Sequence, residues 1–204
     1  MPGRTKICKR QQILNSFTLM LNKTPGVRIT TARIAQELGL SESALYRHFP
    51  SKSKMFEGLI DTVENTLFNR LTDLRIEAVN TLDYCERMLS TILYFSENNP
   101  GMSRILSGEA LIGESEDLRN KAHKVNEKLE AWLSHTISTA EQLQELIPAM
   151  SANTTANLIF STIEGRISQF VRSGFQKMPT THWQQQWQHL SLLLLAPGKT
   201  ASTQ

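Results

Sequence analysis

The chain has 204 residues, of which 40% are hydrophobic, and its 22 lysines and arginines against 19 acidic residues give a net charge of +3. This length predicts one large domain or two small ones, and the hydrophobic content excludes a wholly disordered chain. We expect neither a membrane span nor a secretory signal, because the longest apolar run, residues 192–196, is far shorter than the ~20 residues of a span and the N-terminus has no apolar segment.

Apolar residues recur at intervals of three and four along most of the chain, which is typical of helices with one buried face. No segment shows the sustained alternation of a strand. The apolar series begin at Ile13, Met55, Cys85 and Leu158, and together the runs predict an all-α fold of about nine helices. Breakers separate the runs at Pro25-Gly26, Gly39, Pro50, 98–101, 113–115, Pro148 and Pro179.

The segment at residues 29–54, ITTARIAQELGLSESALYRHFPSKSK, predicts two short helices joined by a tight turn and followed by a long helix from about Lys52. Thr30 or Thr31 can cap the first helix, Gly39 can adopt the left-handed conformation that ends it, and Ser41 can cap the second. This arrangement is a helix-turn-helix. The alternative is an ordinary helical hairpin with a solvated face.

Basic residues are concentrated in the first 60 positions, which hold ten lysines and arginines against three acidic residues. This imbalance favours a polyanionic partner, and a short helix with small polar residues at its start suits the major groove of DNA. The alternative is that the basic residues only aid solubility. The candidate DNA contacts are Thr30, Thr31, Arg33, Ser41, Ser43, Tyr46, Arg47, His48 and Lys52, the last at a helix start that attracts phosphate.

The run at residues 40–52, ending Leu-Tyr-Arg-His-Phe-Pro-Ser-Lys, resembles the DNA-binding domain of the TetR family. This resemblance implies an all-α homodimer in which each subunit has a helix-turn-helix head and a larger helical body. The implied division of the chain is a flexible basic arm at residues 1–7, a DNA-binding head at 8–52, a dimerisation and partner-binding body at 53–196 and a flexible tail at 197–204.

A further resemblance, to a family of nucleoid occlusion factors with the TetR fold, covers roughly residues 8–196. It rests on residues 28–32, 99–101, 104–111 and 170–173 and on Trp183 or Trp187. Members of that family bind palindromic double-stranded sites on the chromosome and, when bound to DNA, antagonise polymers of the tubulin-like protein FtsZ. The resemblance therefore implies a cytoplasmic, nucleoid-associated inhibitor of division-ring assembly.

Two C-terminal segments, residues 153–175 and 183–195, have apolar faces that are wider than one body core requires. They predict a four-helix interface between two subunits, which would place two heads about 34–36 Å apart on a palindrome. The alternative is that these helices belong to the core of one subunit. The candidate interface residues are Ile159, Ile163, Ile167, Phe170, Trp187, Leu190 and Leu194.

The FtsZ contact implied by the resemblance lies on the body, between the long fourth helix and the helix that ends before Asn99-Pro100-Gly101. The exposed candidates are Arg70, Tyr94, Asn98 and Asn99. Arg70 can pair with a carboxylate of an extended peptide tail. The family carries a basic residue immediately before Asn-Pro-Gly, where this chain has Asn98.

The sequence contains no catalytic motif of the serine-hydrolase, P-loop or dinucleotide-binding type. His123 and Glu127 are four residues apart and can share a metal, but no third ligand is evident, and Cys8 and Cys85 are too few for a disulfide framework or a cysteine zinc site. We expect no enzyme activity, no metal and no cofactor, with reduced thiols. Two other functions are a ligand-responsive TetR-family repressor and a helical adaptor that does not bind DNA.

Overall fold

The structure, a computed structural model, describes residues 9–23 and 29–198. The predicted arm at 1–7, the break at Pro25-Gly26 and residues 199–204 of the predicted tail lie outside these ranges. The first two residues of that tail, Pro197 and Gly198, are held by a short strand and a backbone hydrogen bond instead. Within the described ranges the chain forms nine α-helices, which confirms the all-α prediction. These helices are α1 (Lys9–Lys23), α2 (Thr31–Glu37), α3 (Glu42–Tyr46), α4 (Lys52–Glu77), α5 (Thr81–Asn98), α6 (Pro100–Leu106), α7 (Glu116–Gln142), α8 (Ala152–Arg172) and α9 (Trp183–Leu194). A 3₁₀ turn (Glu109–Leu111) follows α6.

Helix starts are set by side chains that accept a hydrogen bond from a backbone N–H of the first turn. The cap of α2 is Thr30, which accepts from the N–H of Arg33, and Ser41 and Ser51 cap α3 and α4 in the same way. Gly39 has a φ of +63°, a left-handed conformation that lets the chain turn between α2 and α3. These local signals explain why the two short helices and the turn between them form where the sequence predicted a helix-turn-helix, although α3 ends at Tyr46 and leaves Arg47 and His48 outside the helix.

Two short strands, β1 (Leu146–Pro148) and β2 (Leu195–Pro197), pair antiparallel and join the end of α7 to the end of α9. The sequence predicted no strand here, because three residues are too few to show an alternating pattern. The pair is held by the buried side chains of Leu146 and Leu195, and the Gly198 N–H donates to the Glu145 carbonyl at 2.9 Å.

The helix α1 packs closely against α6. A Cβ on Gly101 would lie 2.7 Å from the Cβ of Leu21, so only glycine permits this approach, and its N–H donates to Asn22 Oδ1 at 2.6 Å. Arg104, only 2% exposed, donates through Nη1 to the Leu21 carbonyl at 2.9 Å and also pairs with Glu109. The head is therefore fixed to the body through apolar packing and a buried cation.

The structure corrects the predicted subunit interface. The apolar face of α8 is covered within the single chain by α5, α6 and α7, and α9 packs on α5. Periodicity identifies the apolar face of a helix but not the surface that covers it. Six of the predicted interface residues are buried in the chain's own core and the seventh, Leu190, is half-buried: Ile159, Ile163, Ile167, Phe170, Trp187 and Leu194.

The opposite faces of α8 and α9 are open. Leu158 on α8 and Leu192 and Leu193 on α9 are exposed, the last two to 73% and 75%. A Cβ added to Gly165 would meet no atom within 4 Å, so this part of α8 also faces open space. None of the helices in the described ranges has the length and apolar character needed to cross a bilayer.

Candidate DNA-binding interface

The helix-turn-helix is anchored by three fully buried side chains. Ile34 on α2, Leu45 on α3 and Phe49 after α3 are each 0% exposed. The guanidinium of Arg10 on α1 lies 4.6 Å from the centre of the Phe49 ring, over its face. Because the apolar residues of both short helices point inward, their polar residues are held outward in a fixed orientation.

A chain of hydrogen bonds ties α2 to α3 across the turn. The Tyr46 hydroxyl donates to Thr31 Oγ1 at 3.3 Å, and the Thr31 hydroxyl donates to Glu42 Oε2 at 2.9 Å. The hydroxyls of Ser41 and Ser43 lie 3.0 Å apart. The sequence did not predict this role of Glu42, because an acidic residue is not an expected feature of a surface that binds a polyanion.

The outer face of this motif carries cations without a carboxylate partner. Arg33, Arg47 and His48 are exposed, and the described residues place no ion-pairing carboxylate within reach of them. Arg47 and His48 follow α3 directly, and their side chains are exposed, as are those of Ser43 and Tyr46. The structure thus brings together on one exposed surface most of the predicted DNA contacts.

Lys52 differs from these residues. Its ammonium lies 2.6 Å from Glu114 Oε1, and both side chains are largely buried. In the structure the charge of this predicted phosphate contact is thus paired with a carboxylate of the body, and its contact with DNA stays a prediction. Glu114 precedes α7 and is 62 residues away in the sequence, so no local pattern could reveal this ion pair.

The four predicted FtsZ contacts line one cavity of about 330 Å³ between α4 and α5. Tyr94 is 57% exposed at its edge. The side-chain amides of Asn98 and Asn99 donate to the carbonyls of Tyr94 and Phe95 at 2.8 Å, which completes the end of α5. The remaining lining residues are Thr66, Leu67, Thr91 and Phe95.

Arg70 at this cavity is paired within its own helix. Its two terminal nitrogens donate to the carboxylate oxygens of Glu77 at 2.7 and 3.1 Å. The hydrogen bond from Arg70 lowers the pKa of Glu77, and the same bond raises the pKa of Arg70. Because both side chains are exposed, the pair can exchange for another carboxylate at little cost.

The residues considered for metal binding do not assemble into a site in the described ranges. His123 Nε2 lies 3.4 Å from Glu127 Oε1 on the exposed side of α7, and no group of three or more ligand residues forms there. Cys85 is fully buried, and burial raises the pKa of its thiol to about 12. A buried neutral thiol is a poor nucleophile and a poor metal ligand.

The chain matches two family models that together span most of its length. Residues 25–59 match the bacterial regulatory proteins of the TetR family, and residues 79–194 match the tetracyclin repressor-like C-terminal domain of SlmA-like proteins. The fold agrees: a TetR transcription regulator from Haloarcula marismortui superposes with a TM-score of 0.76 at 16% identity, over 91% of this chain and 97% of that one.

Two curated relatives carry the same name. Nucleoid occlusion factor SlmA of Shewanella loihica is 44% identical over 195 residues, which are 96% of this chain and 99% of that protein. Nucleoid occlusion factor SlmA of Colwellia psychrerythraea is 45% identical over 182 residues, 89% and 92% of the two chains. With its TetR-type fold and helix-turn-helix, this chain belongs to the SlmA family of nucleoid occlusion factors.

Proposed function

We propose that the chain acts as a homodimer that binds palindromic sites on the chromosome and, when bound to DNA, antagonises FtsZ polymerisation and so blocks the division ring over the nucleoid. The observation that carries this proposal is the exposed face of α2 and α3, where Arg33, Arg47 and His48 have no carboxylate partner among residues 9–23 and 29–198. The family membership of the whole chain supports it. The proposal places the protein in the cytoplasm on the nucleoid and needs no cofactor or chemical step.

The reading of DNA is assigned to the short helix α3. Its capped N-terminus and the small side chain of Ser43 allow close approach to the floor of the major groove. Arg47 can donate two hydrogen bonds to a guanine edge, which is the commonest specific contact between a side chain and a base. Thr30, Arg33 and His48 lie on the same exposed surface, where phosphate contacts fix the register of the motif.

The subunit interface is assigned to the open faces of α8 and α9. Leu158, Leu192 and Leu193 expose apolar surface that a second copy would bury, and Gly165 lets a facing helix approach closely. The buried residues that the sequence analysis selected support this interface from inside the core. A twofold dimer would present two copies of α3 to successive major-groove faces of a palindrome.

The FtsZ contact is assigned to the cavity between α4 and α5. Its apolar wall includes Leu67 and Phe95, and Tyr94 stands exposed at the edge. Arg70 can exchange Glu77 for a carboxylate of an incoming peptide, since both carboxylates accept the same pair of hydrogen bonds. An extended, partly acidic segment fits this combination.

The direct test is light scattering of FtsZ with GTP in the presence of the protein, with and without a palindromic duplex. We expect polymer loss when the duplex is present and little change when it is absent. A random duplex of equal length and the variant Arg47→Ala serve as controls, and both should restore polymer. Equal polymer in all samples, with duplex binding confirmed, would contradict the FtsZ assignment.

A ligand-responsive regulator is the second candidate, favoured by one observation. A cavity of about 280 Å³ lies between the end of α6, α7 and α8, and Arg119, His123 and Glu164 line it. Burial, with the nearby Glu130, raises the pKa of Glu164, so this carboxyl would gain from a cationic neighbour. A small molecule that releases the protein from DNA, while FtsZ polymer is unaffected, would favour this function.

A further inference from the structure

The contact between Lys52 and Glu114 joins the last residue of the head to the body. The Lys52 ammonium lies 2.6 Å from Glu114 Oε1, and the two side chains are 18% and 11% exposed. The same ammonium lies 5.5 Å from the centre of the Phe56 ring. A charge-assisted hydrogen bond at this distance, with little water around it, is stronger than an exposed surface ion pair.

The backbone on the Glu114 side of the contact is fixed. The Glu114 N–H donates to the Leu111 carbonyl at 3.0 Å, and the Glu114 carbonyl accepts a hydrogen bond from Arg119 Nη1. With both backbone groups held, Glu114 keeps its place just before α7, within side-chain reach of Lys52. The partner that can move is Lys52, whose four-carbon side chain has many rotamers.

Lys52 lies where two anions can compete for its ammonium group, the Glu114 carboxylate and a DNA phosphate. Lys52 is the first residue of α4, six positions after Tyr46 on the exposed face of α3, and its side chain is 18% exposed. A DNA phosphate that approaches this helix start also approaches the Glu114 carboxylate, and the two anions repel each other. Lys52 can therefore bind a phosphate only when its ion pair with Glu114 is broken.

We infer that Glu114 is an intramolecular competitor for DNA phosphate, and that this body residue sets how tightly the head binds any duplex. Every duplex has to displace Glu114 from Lys52 and therefore loses the free energy of that ion pair. Random DNA makes few contacts that offset this loss, so its binding is weak. A specific site offsets the loss through its additional base contacts. The inference rests on the proposed function in one respect, that this surface of the head faces DNA.

The test is fluorescence anisotropy of the full-length protein with a labelled palindromic duplex and a random duplex, across a range of salt concentrations. We expect Glu114→Gln to raise the affinity for both duplexes by at least about five-fold, the upper end for an exposed surface ion pair, because this pair is less exposed. The slope of log affinity against log salt should be unchanged, because the same phosphates are neutralised in both complexes. Lys52→Gln should lower affinity and flatten that slope by about 0.9.

Two matched variants separate the contact from a general effect of charge. Glu116→Gln removes an equal charge two residues away, from an exposed side chain that forms no ion pair with the described residues, and should change affinity little. Glu114→Asp keeps the charge but shortens the side chain, and should gain affinity because it no longer reaches Lys52. In the Lys52→Gln background, Glu114→Gln should have almost no effect.

Three results would overturn the inference. A folded Glu114→Gln protein, with an unchanged circular dichroism spectrum, that binds both duplexes no more tightly than wild type would show that Glu114 does not compete. Equal gains in Glu114→Gln and Glu116→Gln would reduce the effect to net charge. A salt slope that Lys52→Gln leaves unchanged would show that Lys52 stays with Glu114 in the complex. If wild type binds no duplex at low salt, the proposed function itself fails.

Discussion

Two open surfaces of the protein differ in kind. The face of α2 and α3 is polar and cationic, with Arg33 and Arg47 unpaired within the described residues, whereas the outer face of α8 and α9 is apolar, with Leu192 and Leu193 exposed. Unpaired cations gain from a polyanion, and their binding weakens with salt; exposed leucines gain from leaving water, and their binding does not depend on counterions. This difference is the physical basis for the two proposed partners, DNA for the cationic face and a second copy of the chain for the apolar face.

Cys85 is fully buried in the core that separates these two surfaces, so the reactivity of its thiol tests whether that core is closed to solvent. Burial raises the pKa of this thiol from its ordinary value of 9.0 to about 12, so at pH 8 the thiolate fraction should be about 1000-fold lower than that of a free cysteine. A Cys8→Ser variant, in which Cys85 is the remaining thiol, should react very slowly with a thiol-labelling reagent until urea unfolds it. Labelling at the unfolded rate in native buffer would contradict a closed core.

The same shift has a consequence for stability. Because the folded state holds the neutral thiol, its contribution is fully present below pH 9 and is lost as the pH rises from 9 towards 12. Cys85→Ala in the Cys8→Ser background removes this contribution, and the difference between the two unfolding free energies should shrink over that range.

A charged substitution on the apolar face of α8 and α9 should separate the subunits of the proposed dimer. Leu193→Glu places two charges in a twofold interface and removes two buried leucines, at about 1.5–3 kcal/mol for each leucine, so the dimer dissociation constant should rise at least a hundred-fold. Sedimentation equilibrium at low and high salt measures it, and the wild-type dimer should persist at both. Asn69→Glu, on the exposed side of α4, is the control for added charge. A monomeric wild type would refute the assignment of this face.

Breaking the cationic surface should reduce binding to DNA and leave the dimer intact. Arg47→Ala should cost about 1–3 kcal/mol with the palindrome and much less with random DNA, since a base contact carries sequence information. Arg75→Ala removes the same charge from an exposed position of the body and should leave binding nearly unchanged. Equal losses for both duplexes would assign Arg47 to phosphate rather than to a base.

The smallest expected effect concerns the cavity between α4 and α5, whose cation is already paired. Arg70→Ala should weaken co-sedimentation with FtsZ in the presence of duplex by a few-fold, in line with an exposed pair of about 0.2–1 kcal/mol. Glu77→Gln frees Arg70 from its internal partner and should act in the opposite direction. Opposite signs in these two variants, with unchanged DNA affinity, would distinguish a contact from a loss of folding.

Features encoded by neighbouring residues were predictable from the sequence. Thr30, Gly39 and Ser41 mark the turn between α2 and α3, and the Pro100 break falls where α5 gives way to α6, because caps and breakers act within a few residues. Arg47 and His48 are exposed because the apolar residues on either side of them, Leu45 and Phe49, occupy the buried positions of that segment.

Features that depend on distant parts of the chain were not predictable. The partner of Lys52 lies 62 residues away, and no local pattern specifies a contact of that range. The apolar faces at Ile163 and Trp187 were recognised correctly, but periodicity does not distinguish a face that meets the chain's own core from one that meets a second subunit. Strands of three residues carry too little pattern to be detected.

The close approach of α1 to α6 has a geometric consequence. With no room for even a methyl group between Gly101 and Leu21, α1 of the DNA-binding head is seated directly on α6 of the body. In a twofold assembly, the separation of the two heads would then be inherited from the angle at which the C-terminal helices of the two copies cross. The length of the DNA site would then depend on the packing of α8 and α9 between the two copies rather than on the helix-turn-helix itself.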